Sequence, residues 1–518
     1  MSGSFNAKQA KTSLFDALVD ARQTFGAKKP ILEDQERSPM SYTDLIRAAF
    51  ALGRKIAGFT KPGERVAVML PASSASVVTF FALHAFGRTP AMLNFTAGIR
   101  NLKAACELAD LKVVLTSHRF IEQGKLHDLV DALETLTQVR YLEDVRKTVG
   151  FSDKIFAAAA GAFPKQFRAA RKPSDPGVIL FTSGSFGAPK GVVLSQENLV
   201  ANVLQIAAHI PLDPDWVFFN PLPTFHSFGL TAGVLLPILR GMKAFQYPSP
   251  LHIKQIPALI KDTEAAVLLA TDTFINQYAR SAEPDELSGL KFVVCGAEKV
   301  REETHNLINE KFGDIPLLEG YGATEASPVI AVNKPIDNRR GTVGGLLPGM
   351  ETRIEPVEGI PGGGKLYVRG PNVMSGYLLP GGGIEPLIDG WHDTGDVVSM
   401  SDDNWIKIKG RVKRFAKVGG EMVSLTAAED LACAVWPDDR HAVIALPDPK
   451  KGERLILVTD RRDAESGPLI AHAQSIGAPE IAVPRKIIKV PEIPVLGTGK
   501  TDYVALQRIV DAEMMRVA

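Results

Sequence analysis

Residues 179–194 read ILFTSGSFGAPKGVVL, and this stretch decides how the rest of the chain is read. The apolar run Val178–Phe181 suits a buried strand, and Val192–Leu194 suits a second one. Between them Thr182, Ser183, Gly184, Ser185 and Gly187 leave hydroxyls and backbone N–H groups open, which is the chemistry of a phosphate cradle. Lys190, held between Pro189 and Gly191, adds a point charge for phosphate oxygens. A Walker A loop needs Ser or Thr directly after its lysine, and here Gly191 follows. Taken alone, the stretch also fits a Ser/Gly-rich hairpin turn, so its surroundings must decide.

Outward from this loop, helical and strand patterns alternate, which predicts an α/β fold with largely parallel sheets. Arg65–Leu70 and Lys112–Thr116 read as strands, with a helix over Val77–Phe86. After the loop, Ser195 is an N-cap for a helix carrying Leu199, Val200, Val203, Leu204 and Ile206 on one face. Ala265–Ala270 and Phe292–Val294 read as buried strands. From Gly341 to Gly395 the chain is dense in Gly and Pro with short β-like pieces such as Lys365–Val368, the texture of a small barrel. Beyond Gly410, Thr426 and Glu429 have capping-box spacing before a helix, and strands follow over His441–Leu446 and Leu455–Thr459.

The 518 residues exceed what one hydrophobic core of about 250–300 residues holds. A net charge of +1 gives no global attraction to nucleic acid or to an anionic membrane. Cys106, Cys295 and Cys433 lie far apart, without metal-ligand spacing, and read as free thiols in a reducing cytosol. The N-terminus has no apolar signal core, and no uncharged run reaches the ~18 residues of a membrane span, so a cytoplasmic location is expected. The stretch Ile155–Lys172, IFAAAAGAFPKQFRAARK, is apolar and then basic. It reads either as a peripheral contact with a membrane surface or acidic partner, or as a helix and linker ended by Pro173 and Pro176.

Five more segments carry chemistry. Leu318–Pro328, LEGYGATEASP, offers an aromatic face for a purine at Tyr321, a hydroxyl at Thr324 and a carboxylate for Mg²⁺ at Glu325; the carboxylate also fits a helix N-terminal acid. In WHDTGDV, Asp396 suits a ribose diol or an Asx cap. Gly410–Leu425 carries Arg411, Lys413, Arg414 and Lys417 before a Gly-Gly pair, either a solvated surface or a hinge with an anion-facing edge. PVLGTGKTD puts Lys500 on an exposed loop. In LPTFHSFGL, His226 lies among aromatics, as a core residue or a catalyst.

Order and completeness connect these segments. The chain resembles the adenylate-forming superfamily of acyl-CoA synthetases, luciferases and peptide-synthetase adenylation domains, which runs TSG(S/T)TGxPKG, YGxTE, TGD, GRxKD…GGE and a C-terminal GK. All five occur here in that order. LPTFHSFGLT, YPSPLHI, GAEKV, GTVGGLLPGM and GRVKRFAKVGGEMVSL narrow the likeness to the ligase half of bifunctional 2-acylglycerophosphoethanolamine acyltransferase/acyl-carrier-protein synthetases. No His is followed by Asp at the H-x4-D spacing of the acyltransferase half, so a stand-alone synthetase is expected. Phe186 stands where the family has a second Thr, and Arg414 where it has an acid.

The resemblance implies an α/β N-terminal AMP-binding domain over residues 1–410, with doubly wound subdomains and a small distorted β-barrel. A mobile α+β domain over 411–518 carries the catalytic lysine. It implies ATP and Mg²⁺ as cofactors and a medium- or long-chain fatty acid as substrate, with acyl carrier protein as the thiol acceptor and coenzyme A as the alternative. Lys500, Glu325, Thr182 and His226 take catalytic roles, Glu325 holding the metal and His226 gating the thiol tunnel. Thr182, Ser183, Gly184, Ser185, Gly187 and Lys190 cradle phosphate. Gly296, Ala297, Glu298 and Tyr321 wall the adenine, Glu319, Gly320, Gly322 and Thr324 belong to the nucleotide site, Asp396 and Arg411 hold the ribose, and Lys413 is the hinge.

Overall fold

The computed structural model describes residues 5–183, 189–358, 360, 362–419, 421–448, 452–495 and 501–517. Gly184, Ser185, Gly187 and Lys500 lie outside the described residues. The fold is mixed α/β, and the chain divides into two compact units. The first comprises residues 1–340, 344–351 and 369–392, and the second residues 341–343, 352–368 and 393–518.

Two large sheets build the first unit. The eight-stranded sheet has the order Ile384–Pro386, Gly376–Leu378, Pro189–Ser195, Pro176–Ser183, Thr89–Met92, Arg65–Val68, Val113–Thr116, Gln138–Tyr141. Its last five strands run parallel, and the hairpin Pro176–Ser183/Pro189–Ser195 is antiparallel. The nine-stranded sheet contains Leu317–Gly322, Phe292–Gly296, Val267–Ala270, Val217–Asn220, Lys243–Gln246 and Pro30–Asp34, all parallel to their neighbours in that series. The apolar runs read as strands are therefore strands, buried on both faces as parallel sheets require.

The helix Gln196–His209 begins as expected: Ser195 Oγ accepts from Asn198 N at 3.1 Å while Asn198 Oδ1 accepts from Ser195 N at 2.9 Å. Its expected one-sided burial does not hold. Asn198, Asn202, Gln205 and His209 form a polar row at helical spacing, and that row is buried too. Each member captures a carbonyl: Pro371 and Val329 at 2.8 Å, Pro348 at 3.0 Å and Val332 at 2.9 Å. Side-chain amides that satisfy strand and loop carbonyls make polar burial tolerable.

In the second unit, the Gly/Pro-rich region forms a four-stranded sheet of order Glu351–Pro356, Gly364–Arg369, His392–Met400, Ile406–Arg411. A further sheet contains Phe415–Val418, Glu421–Ser424, His441–Asp448, Gly452–Thr459 and Lys486–Lys489, packed with the helices Leu425–Val435 and Ser466–Ser475. The cap of Leu425–Val435 is Ser424, whose Oγ accepts from Ala427 N at 3.2 Å. The expected Thr426–Glu429 box is absent because Glu429 turns inward to Arg414 at 2.6 Å and to Val443 N at 2.7 Å.

Candidate functional site

In the first unit the site starts at the mouth of the hairpin. Its register sets Thr182 directly across from Lys190 and Ser183 across from Pro189, so the chain leaves and re-enters the sheet at one point. Antiparallel pairing then brings in a residue from far along the chain. Gly376–Leu378 pairs with the returning strand, Tyr377 opposite Val192, and the Lys190 ammonium lies over the Tyr377 ring at 4.6 Å from its centroid. The Tyr377 hydroxyl donates to Glu325 Oε1 at 2.8 Å. Sequence reading did not single out Tyr377; an aromatic after a glycine in a short strand carries no signal of its own.

Glu325 sits in the single 3-10 turn Thr324–Ala326. That turn is too short to carry a helix dipole, so the helix-end reading of Glu325 has no helix behind it. The turn is latched from outside: Met374 N donates to Glu325 O at 2.8 Å, and Asn372 Nδ2 donates to Ala326 O at 2.7 Å. Thr324 Oγ1 accepts from Ser227 Oγ at 3.5 Å, which ties the YGATE turn to the segment after His226. Ser227 is a second residue the sequence reading passed over. One carboxylate beside a hydroxyl suits Mg²⁺, which binds through one or two carboxylates plus substrate phosphates and keeps its waters. The residues present fit that ion.

The glycines expected near the base lie on two adjacent parallel strands, Gly296 at the end of Phe292–Gly296 paired with Gly320 and Cys295 with Glu319. Ligands in α/β sheets gather at the carboxyl ends of strands. Ala297 continues at φ 71°, a left-handed residue directly after the strand. A Cβ on Gly296 would meet Phe228 Cε1 at 2.9 Å, so only glycine lets these segments approach. Tyr321 is buried opposite Ala331, and Gly322 meets the Pro328 carbonyl so closely that a Cβ there would lie 2.1 Å from it. Glu298 and Glu319 carry structural bonds: their carboxylates accept from Thr273 N and Val300 N, each at 3.1 Å.

His226 is half-buried, and its Nδ1 accepts from Phe228 N at 3.4 Å. It immediately precedes Ser227 and the π-helix Phe228–Leu235, every residue of which is buried. Helical irregularities of this kind recur at functional sites.

In the second unit Asp396 and Arg411 are cross-strand partners, with Arg411 Nε donating to Asp396 Oδ1 at 2.9 Å. Asp396 is buried and Arg411 is exposed. An Asx turn in WHDTGDV is made by Asp393, whose Oδ1 accepts from Gly395 N at 2.9 Å. Lys413 lies in the turn Val412–Arg414, between Ile406–Arg411 and Phe415–Val418. Arg414 does not face solvent: besides Glu429 it donates to the Val443 carbonyl at 2.8 Å and stacks 4.0 Å from the Tyr503 ring. Burial raises the Glu429 carboxyl above its usual range, with Arg414 opposing.

The family of AMP-binding enzymes matches residues 19–378, which span the hairpin, Glu325 and Tyr377. The chain belongs to the AMP-binding enzyme family. As such it is an adenylate-forming ligase that uses ATP. This AMP-binding enzyme is 25% identical over 500 residues to the medium-chain fatty-acid–CoA ligase of Escherichia coli (strain K12), covering 92% of this chain and 86% of that protein. It is 28% identical over 435 residues to 4-coumarate–CoA ligase 2 of Oryza sativa subsp. japonica, covering 79% and 75%. The ATP-bound structure of MatB from Rhodopseudomonas palustris matches with a TM-score of 0.81 at 24% identity, covering 96% of this chain and 99% of that one. At that identity the likeness speaks for the fold.

Proposed function

We propose that this AMP-binding enzyme activates a medium- or long-chain fatty acid and passes the acyl group to a phosphopantetheine thiol. A carboxylate oxygen attacks the α-phosphorus of ATP, the bond to the β-phosphate breaks, and acyl-AMP and pyrophosphate form. The thiol sulfur then attacks the acyl carbon, AMP leaves, and the thiol proton passes to solvent. The observation that supports this most directly is the linked set of Thr182, Lys190, Tyr377 and Glu325 at the hairpin mouth. Lys190 and the loop hold the β/γ-phosphates, and Glu325, oriented by Tyr377, holds Mg²⁺, which neutralises phosphate charge when bound. Gly296, Ala297 and Tyr321 border the adenine, and Asp396 and Arg411 take the ribose. Lys500 stabilises charge at the α-phosphoryl oxygens, and rotation about Lys413 then withdraws it. The domain boundary at 410/411 belongs to this reading.

For the acceptor we favour coenzyme A, supported by the fatty-acid–CoA ligases among the relatives. Acyl carrier protein is the second reading, supported by the motifs LPTFHSFGLT and GRVKRFAKVGGEMVSL. Its electrostatic basis has narrowed. Of the cations in Gly410–Leu425 and Ile155–Lys172 that could face an acidic carrier, Arg414 is bonded inward, Arg168 pairs with Asp16 at 2.5 Å, and Arg171 binds the Gly87 and Pro176 carbonyls, each at 3.1 Å. Lys413, Lys417 and Lys172 remain exposed. The test is ATP-dependent thioester formation with medium-chain, long-chain and 4-coumaric acids, run with coenzyme A and with holo-acyl carrier protein. Turnover of 4-coumarate above every fatty acid overturns the substrate reading; thioester on the carrier alone selects the second acceptor.

A further inference from the structure

The helix Phe151–Ala162 packs its Phe156, Ala157 and Ala160 inward, and its opposite stripe should be polar. It is not. Phe151 is 79% exposed and Ile155 55%, one turn apart, with Ala158 and Ala162 continuing the stripe. Just past the helix end, Phe163 is 60% exposed and Phe167 39%. Phe151, Ile155 and Phe163 thus project within one short stretch, with Phe167 packed edge-on to Phe156, where surface apolar residues are ordinarily scattered.

The segment's own charge is predominantly positive. Residues 146–172 hold seven Arg and Lys against one acid, Asp153, in a chain of net charge +1. Asp153 is buried and bridged by Lys55 at 2.6 Å and Arg54 at 3.4 Å. Acids from other elements meet part of the excess: Asp20 on Lys165, Asp16 on Arg168, Asp144 on Lys147 and Asp175 on Arg171. Arg146, Lys154 and Lys172 are exposed, Lys154 on the same helix as the apolar stripe.

We infer that the exposed stripe of Phe151 and Ile155, with Phe163 and Phe167 just past the helix end, docks on an anionic lipid surface. Aromatic and aliphatic side chains flanked by cations are the composition of an interfacial helix, whose apolar side enters the headgroup boundary while its charges meet acidic lipids. A second copy of the chain is a poor occupant, because a two-fold contact sets the same patch against itself and brings two basic segments together. The inference rests on these surface residues and not on the ligase reading.

The test is sedimentation of the full-length protein with phosphatidylcholine vesicles, with and without phosphatidylglycerol, in the absence of ATP and fatty acid. The protein binds the phosphatidylglycerol vesicles and is released by salt. Phe151→Ser/Ile155→Gln lowers the partition about tenfold. Lys154→Glu weakens binding and flattens its salt dependence. Ile336→Gln/Ile388→Gln, which removes exposed apolar area elsewhere in the same unit, leaves it unchanged. An unaltered thermal midpoint confirms that the variants fold. Failure of the wild type to bind overturns the inference, as does equal binding by the Phe151/Ile155 variant or equal loss in the control. Dispersal of a dimer by that variant without vesicle binding assigns the face to a second copy instead. Adenylation is assayed separately with a water-soluble short-chain acid, so failure of either result leaves the other standing.

Discussion

The Tyr377 hydroxyl donates to Glu325 Oε1 at 2.8 Å, joining residues that sequence separates by more than fifty positions. The same ring carries the Lys190 ammonium on its face, so one side chain touches both the expected metal ligand and the expected phosphate lysine. Tyr377→Phe keeps the ring and removes only the hydrogen bond. A hydrogen bond to a charged group contributes about 1.5–3 kcal/mol, less when partly solvated. ATP–pyrophosphate exchange should fall about tenfold at low Mg²⁺ and recover partly at high Mg²⁺, with the melting point nearly unchanged. Exchange indifferent to the substitution at low Mg²⁺ removes the positioning role.

Lys500→Ala should slow acyl-AMP formation by on the order of 10²–10³, the effect of losing one transition-state electrostatic contact. Thioester formation from supplied acyl-AMP should be nearly intact. Equal loss in both half-reactions, measured by single turnover, makes the lysine structural.

Asp396 and Arg411 predict an asymmetry. Arg411→Ala leaves a buried carboxylate without its guanidinium, at a cost of about 1–3 kcal/mol. Asp396→Ala leaves an exposed guanidinium that water solvates, so its melting point falls less. Both should raise KM for ATP. Equal melting points for the two variants contradict the burial argument.

His209 predicts acid sensitivity. Burial lowers its pKa from 6.5 to about 4, against the hydrogen bond to the Val332 carbonyl, which raises it. A depressed folded pKa means that the unfolded chain takes up the proton first. Stability is therefore full above pH 6.5 and falls as pH drops towards 4, by at most about 1.4 kcal/mol per pH unit. His84, lowered to about 3 chiefly by burial, adds the same sign. His209→Gln should flatten the slope of denaturation midpoint against pH; an unchanged slope refutes this assignment.

Nine strands, both arms of the hairpin Pro176–Ser183/Pro189–Ser195 among them, were legible, because buried strands are short apolar runs and their loops are punctuated by glycine. What the sequence hid are partnerships across distance. Tyr377 reaches Glu325 only because its strand pairs beside Pro189–Ser195, a register that no local pattern encodes. Arg414 and Glu429 look like surface and cap residues until the sheet of the second unit buries them together. The row Asn198, Asn202, Gln205 and His209 looks like a solvent face, since polarity alone does not reveal whether the partner is water or a carbonyl.

That row acts as a gauge bar. Its four latches seize Pro371, Val329, Pro348 and Val332 at regular helical intervals. The segments beside Glu325 and the segment leading to Tyr377 are thereby referenced to one rigid rod that starts where the hairpin Pro176–Ser183/Pro189–Ser195 ends. Surface loops between these segments can lengthen freely, whereas adding or deleting one residue inside Gln196–His209 would turn the latches away from their carbonyls and put several distant segments out of alignment at once.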